Sequence, residues 1–154
     1  MERIDLADEA ATRALGEQIA RIVRAGDLIA LEGELGAGKT TLVRGLSVGL
    51  GIDPALVSSP TFVNRHDYPG TTLALAHVDG WRIESKSIVD SLGLDEAIEV
   101  TANCVVVVEW ASRVIEWIPR PTMTVRIVYA NDGATRVAEI THSDADKPIN
   151  LPRG

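Results

Sequence analysis

Residues 27–43, DLIALEGELGAGKTTLV, decide the fold. Asp27 to Glu32 is a short apolar run suited to a buried strand, Gly33 to Gly38 supplies a turn, and Lys39 to Leu50 carries apolar residues at helical spacing. Gly33, Gly38, Lys39 and Thr40 meet every fixed position of the phosphate-loop pattern G-x-x-x-x-G-K-[ST], and they do so between a strand and a helix. Glycines allow backbone N–H groups to close around phosphate oxygens, and the positive end of the helix dipole points at the same anion. Lys39 is placed for the β and γ phosphates and the Thr40 hydroxyl for Mg²⁺. This stretch predicts an α/β fold of the P-loop NTPase type, three layers α/β/α around a mixed, mainly parallel sheet, with a nucleoside triphosphate and magnesium as ligands.

The flanking sequence fills in that architecture. From Asp8 to Arg24, the residues Ala11, Leu15, Ile19, Ile22 and Val23 fall at helical spacing, Asp8 is a suitable cap, and Gly26 stops the helix. A strand is expected from Pro60 to Asp67 and another from Thr72 to Asp79, joined by a hairpin at Tyr68-Pro69-Gly70. Ser87 to Val100 is read as one or two short helices, and the apolar run Cys104 to Val108 as a strand covered on both faces. Ala111 to Ile118 is expected to be a short helix ended by Pro119 and Pro121. Thr122 to Tyr129 and Ala134 to Thr141 form a last hairpin about Asn131-Asp132-Gly133. Residues 1–142 are read as one domain and 143–154 as a mobile tail.

With 154 residues, 45% hydrophobic and 24% charged, the chain suits one ordinary globular core. Its net charge of −7 and lack of a Lys/Arg cluster speak against a groove that grips nucleic acid directly. A single cysteine, Cys104, excludes a disulfide scaffold or a Cys-rich zinc site. No apolar run approaches bilayer length, and the acidic N-terminus is unlike a secretory signal, so the cytoplasm is the expected compartment.

Hydrolysis needs acids at the tips of strands beside the loop, to hold the metal and position water. Asp79 and Glu109 each end an apolar strand and reach the edge that carries the loop, provided those strands run parallel to the first. His77 shares a strand face with Asp79, either as a satisfied buried histidine or as a proton carrier. Arg82 suits a phosphate or a neighbouring acid, and Trp81 and Trp110 suit the nucleotide region or ordinary packing. Ser58 to Phe62 reads as a turn opening a strand, or as a switch loop that orders around a γ-phosphate.

Taken in order, GELGAGKTTLVRGL, SSPTF, HVDGWR and VVEW resemble the TsaE family, formerly YjeE, over about Asp8 to Arg136. The resemblance implies an ATPase that works with TsaD- and TsaB-like proteins in making N6-threonylcarbamoyladenosine at position 37 of tRNA, and that meets tRNA only through that complex. It implies nucleotide contacts from Glu9, Leu35, Gly36, Ala37, Gly38, Lys39, Thr40, Thr41, Thr61, Trp110 and Arg136, metal ligation by Thr40, Asp79 and Glu109, and catalysis by Glu109, Asp79 and Lys39. Trp81 stands where the family's H-x-D-x-Y-R motif has tyrosine, which removes a hydroxyl. The competing readings are a small-molecule kinase, for which 85–100 lacks an arginine-rich lid, a GTPase, for which no N-K-x-D motif is present, and a nucleotide-gated adaptor without turnover.

Overall fold

The computed structural model describes residues 1–34, 36–60 and 63–143. Helix α1 (Glu9–Ile22) begins where the Asp8 carboxylate accepts the Ala11 N–H, and it turns Leu15, Ile19 and Ala20 inward. Strand β2 (Leu28–Gly33) leads through the loop to helix α2 (Lys39–Gly49). Strands β3 (Arg65–Tyr68) and β4 (Ala74–Asp79), short helices α3 (Lys86–Ser91) and α4 (Leu94–Ala97), and strand β5 (Cys104–Glu109) follow. The described chain closes with the hairpin of β6 (Met123–Tyr129) and β7 (Arg136–His142), turned by residues 131–133 with Gly133 at φ 71°.

These strands and an N-terminal strand β1 (Glu2–Leu6) form one seven-stranded sheet in the order β1-β7-β6-β2-β5-β4-β3. The inner four, β6, β2, β5 and β4, are mutually parallel, and β3, β7 and β1 are added antiparallel at the flanks. One apolar layer lies between the sheet and α1 and α2, and a second covers the opposite face with Val89, Leu94, Ala97 and Val114. The fold is thus the expected α/β class with helices on both faces. Every residue of β5 is buried, as its uninterrupted valines require of an inner parallel strand.

Several local expectations are corrected. No strand was expected before Asp8, yet β1 pairs with β7 because its alternation of Ile4 and Leu6 with charged residues suits an edge strand. The strand expected from Pro60 begins only at Arg65, since Asn64 adopts φ 67° and breaks the extended run. Ala111 to Ile118 is a single 3₁₀ turn, Ala111–Arg113, followed by further turns instead of a helix. Its bonds run from Arg113 to Trp110 and from Val114 to Ala111, and Val114, at φ −126° and ψ 12°, leaves the helical region and ends the turn. The tail expected from 143 lies, beyond Ser143, outside the described residues. No helix among the described residues is long and apolar enough to cross a membrane.

Helices α1 and α2 approach closely through glycine. A Cβ added to Gly45 would sit 2.1 Å from the Arg13 carbonyl oxygen, and one added to Gly16 would sit 2.3 Å from that of Leu42. Both clashes are with backbone, which cannot step aside without separating the helices. Gly45→Ala is therefore expected to destabilise the protein by about 1–3 kcal/mol despite alanine's better helix propensity. Urea unfolding with an unchanged or higher midpoint would show that the helices separate at no cost.

Candidate functional site

The loop at the carboxyl end of β2 is set by its glycines. Gly38 caps α2 with φ 110°, a conformation that side chains disfavour, and so delivers Lys39 and Thr40 at the helix N-terminus. Lys39 is buried, and its Nζ donates to the Gly33 carbonyl oxygen at 2.5 Å. The same ammonium lies 3.6 Å from the centroid of the Trp110 ring, within cation–π range. Burial lowers the Lys39 pKa from its ordinary value, and the carboxylates of Glu109, Asp79 and Glu32 partly oppose that shift.

The two strand-end acids arrive as expected, because β4 and β5 are parallel and in register. Asp79 is the direct Cα partner of Glu109, and Glu109 is the partner of Leu31 on β2. Both carboxylates are buried. Asp79 Oδ1 accepts the Trp81 N–H at 2.9 Å, and Oδ2 accepts the Ser59 hydroxyl at 3.3 Å. Glu109 Oε2 is 2.9 Å from His77 Nε2, which identifies His77 as a buried histidine paired to the acid.

An open cavity of about 680 Å³ joins these groups, with Lys39, Thr40, Asp79, Arg82, Glu109 and Trp110 in its wall. Among the described residues no three His, Cys, Asp or Glu side chains form a closed metal cage. A magnesium ion keeps several waters and takes only one or two carboxylates with phosphate oxygens, so it requires no such cage. Thr40, Asp79 and Glu109 fit such a partial set.

A second cavity of about 330 Å³ lies on the other side of the loop, lined by Glu9, Thr12, Gly38, Thr41 and Arg136 among others. Thr41 donates its hydroxyl to Glu9 at 3.3 Å. Arg136 and the Tyr129 hydroxyl each donate to the Gly36 carbonyl oxygen at 3.4 Å, and the guanidinium stacks 4.3 Å from the Tyr129 ring centroid. The last hairpin therefore holds the loop from behind. Gly36, Ala37, Gly38, Thr40, Thr41, Trp110, Glu9 and Arg136 are thus gathered around two adjoining cavities, while Leu35 and Thr61 lie outside the described residues.

Sequence reasoning left out two contributors: Tyr129 braces the loop, and Glu32 binds both the N–H and hydroxyl of Ser112 behind Trp110. Ser59, which the sequence places in a turn or switch loop, holds Asp79. Trp110 itself adopts φ 55°, an outlier for so bulky a side chain. It stacks on Trp81 with centroids 4.4 Å apart, and the Arg113 guanidinium lies 4.8 Å from the Trp81 ring centroid. The two tryptophans thus line the site and pack on one another. The contacts of Tyr129 and Glu32 and the strained backbone at 110 are without a sequence signal.

A family model described as threonylcarbamoyl adenosine biosynthesis protein TsaE matches residues 6–138. The chain is 42% identical over 133 residues to the tRNA threonylcarbamoyladenosine biosynthesis protein TsaE of Streptomyces coelicolor, covering 84% of this chain and 87% of the relative. It is 40% identical to the protein of the same name from Nostoc sp., covering 92% and 86%. The crystal structure of Bacillus subtilis YdiB superposes with a TM-score of 0.72 at 30% identity, over 92% of this chain and 84% of that one.

The Lys39–Trp110 contact has a direct optical test. With Trp110 left as the sole tryptophan by Trp81→Phe and Trp117→Phe, replacing the ammonium through Lys39→Met is expected to change the emission of Trp110 in the ligand-free protein. Superimposable spectra would mean that the ammonium does not rest on the ring in solution.

Proposed function

The chain belongs to the TsaE family, whose members are named for tRNA threonylcarbamoyladenosine biosynthesis, and on that premise we propose that it is the Mg-ATP-binding ATPase of that pathway. Residues 1–142 are its working domain and the cytoplasm its compartment. Its turnover resets or remodels a TsaD-TsaB-like transferase complex, and the modification chemistry itself occurs on those partners. The single observation that supports this reading best is the convergence of Lys39, Thr40, Asp79 and Glu109 on one cavity at the carboxyl edge of the parallel strands. An acidic chain without a basic cluster fits a component that meets tRNA only through its partners.

In this reading the loop N–H groups and Lys39 bind the phosphates, and Lys39 exchanges the Gly33 carbonyl and the Trp110 ring for a stronger, charge-assisted contact. Thr40, Asp79 and Glu109 hold the magnesium. When bound, that ion neutralises charge on the phosphate oxygens. Glu109 orients the attacking water, and Asp79, fixed by Ser59 and the Trp81 N–H, keeps its carboxylate at the metal. Glu9, Thr41, Trp110 and Arg136 border the rest of the nucleotide. Arg82 lines the cavity beside the acids and Arg136 donates to the Gly36 carbonyl on the other side of the loop; turnover by the isolated chain is expected to be slow and raised by the partners.

Phosphate release from ATP and from GTP, measured alone and with the TsaD- and TsaB-type partners, tests the proposal. Partner-stimulated release from ATP is expected, whereas phosphoryl transfer to a small acceptor without the partners would identify a kinase. Nucleotide binding with no turnover under any condition would leave a gated adaptor.

The site variants should divide cleanly. Lys39→Ala is expected to weaken nucleotide binding roughly 30-fold or more, since a buried charge loses its partner. Glu109→Ala should keep binding and lose about 10²–10⁴-fold in turnover. Normal hydrolysis by Glu109→Ala would remove it from the site. Asp79→Ala should blunt the magnesium dependence of both binding and turnover, and an unchanged magnesium titration would leave Asp79 as a cap for the turn at Trp81.

A further inference from the structure

His77 is the one buried polar side chain of β4 that touches a proposed site acid from below without facing the cavity. Alternation along β4 puts it on the same sheet face as Leu75 and Asp79. Its Cα partner on β5 is Val107, one same-face step before Glu109, so its ring reaches Glu109 diagonally across the parallel pair. The ring has 0% exposure, and Nε2 stands 2.9 Å from Glu109 Oε2.

The donor pattern of that contact is dictated by its partner. With Glu109 as a carboxylate, which only accepts, the contact takes Nε2–H as its donor. The other nitrogen, Nδ1, is buried and has no hydrogen-bond partner among the described residues. For packing alone this position is a poor place for histidine, because leaving a polar atom dry costs free energy that an aliphatic side chain avoids. Its same-face neighbours Leu75, Val105 and Val107 are aliphatic and fully buried. What the imidazole adds is its single bond to Glu109.

We propose that His77 is a positioning residue for Glu109: its Nε2–H pins one carboxylate oxygen and so fixes the rotation of the group, leaving the other oxygen for the metal or its water. The proposal rests on the reading of Glu109 as the acid of an Mg-ATP site. Asp79 is held in a corresponding way, by the Trp81 N–H and the Ser59 hydroxyl, so both acids are oriented by the protein before any ligand arrives.

Two amide variants of similar polarity separate positioning from packing. Gln at 77 presents its amide N–H₂ near the place of Nε2, whereas Asn presents it near the place of Nδ1 and falls short of Glu109. Thermal melts would be followed by Mn²⁺ affinity, read by electron paramagnetic resonance with a non-hydrolysable ATP analogue, and by kcat and KM for ATP with the partner proteins present. His77→Asn is expected to lose about 10–100-fold in metal affinity or kcat, with KM for ATP little changed, and His77→Gln is expected to stay close to the wild type. Wild-type behaviour of His77→Asn, equal impairment of both variants, or failure of either to fold would overturn the positioning role. If the wild-type protein itself fails to bind Mn²⁺ with the nucleotide analogue, the Mg-ATP reading falls and this proposal falls with it. Wild-type binding alongside an unimpaired His77→Asn overturns the positioning role alone.

Discussion

The parallel register of β2, β5 and β4 is the constraint on which the rest depends. It aligns Leu31, Glu109 and Asp79 at one level, so the loop after β2 and the two acids emerge at the same edge of the sheet. A slip of one residue in either pairing would turn the acid to the opposite face, because side chains alternate along a strand. Val105 and Val107 face α1 and α2, and Val106 and Val108 face the other layer, so a slip would exchange valine for valine along most of β5. The penalty falls at its end, where the Glu109 carboxylate would lose His77 and enter the opposite apolar layer.

That edge carries an unusual concentration of buried charge. Lys39, Asp79 and Glu109 are all buried, which is tolerable only because each has a partner. The pairing is incomplete in one respect. Lys39 is satisfied by a neutral carbonyl and an aromatic face, and its lowered pKa records the cost of keeping the ammonium there. A polyanion entering the loop would add a charge-assisted partner for Lys39 beside the carboxylates of Glu109, Asp79 and Glu32. The strained backbone of Trp110 belongs to the same arrangement, since it carries the ring that covers the ammonium.

Much of this could be read from residues alone. The loop between strand and helix, the strands ending at Asp79 and Glu109, and the final hairpin are local signals of composition and period, and they recur in the structure. What escaped is set mainly by contacts between distant segments. β1 is a strand because β7 offers it an edge, and its five residues alone carry too little pattern to declare that. The segment after Trp110 makes only a 3₁₀ turn because Val114, at φ −126° and ψ 12°, leaves the helical region, a local departure that the apolar spacing of 111–118 does not announce. The bonds from His77 to Glu109 and from Tyr129 to Gly36 join residues whose spacing in the chain says nothing of their distance in the fold.

The carboxyl edge holding Lys39, Thr40, Asp79 and Glu109 is proposed as the place where a magnesium-bound triphosphate sits. A crystal structure with magnesium and a non-hydrolysable ATP analogue measures this most directly. The phosphates are expected within the loop of 36–41, the metal against Thr40 and at least one of the two acids, and Lys39 Nζ moved off the Gly33 carbonyl toward the phosphate. A triphosphate bound elsewhere, or Lys39 still resting on Gly33 and Trp110 with the analogue in place, would contradict it.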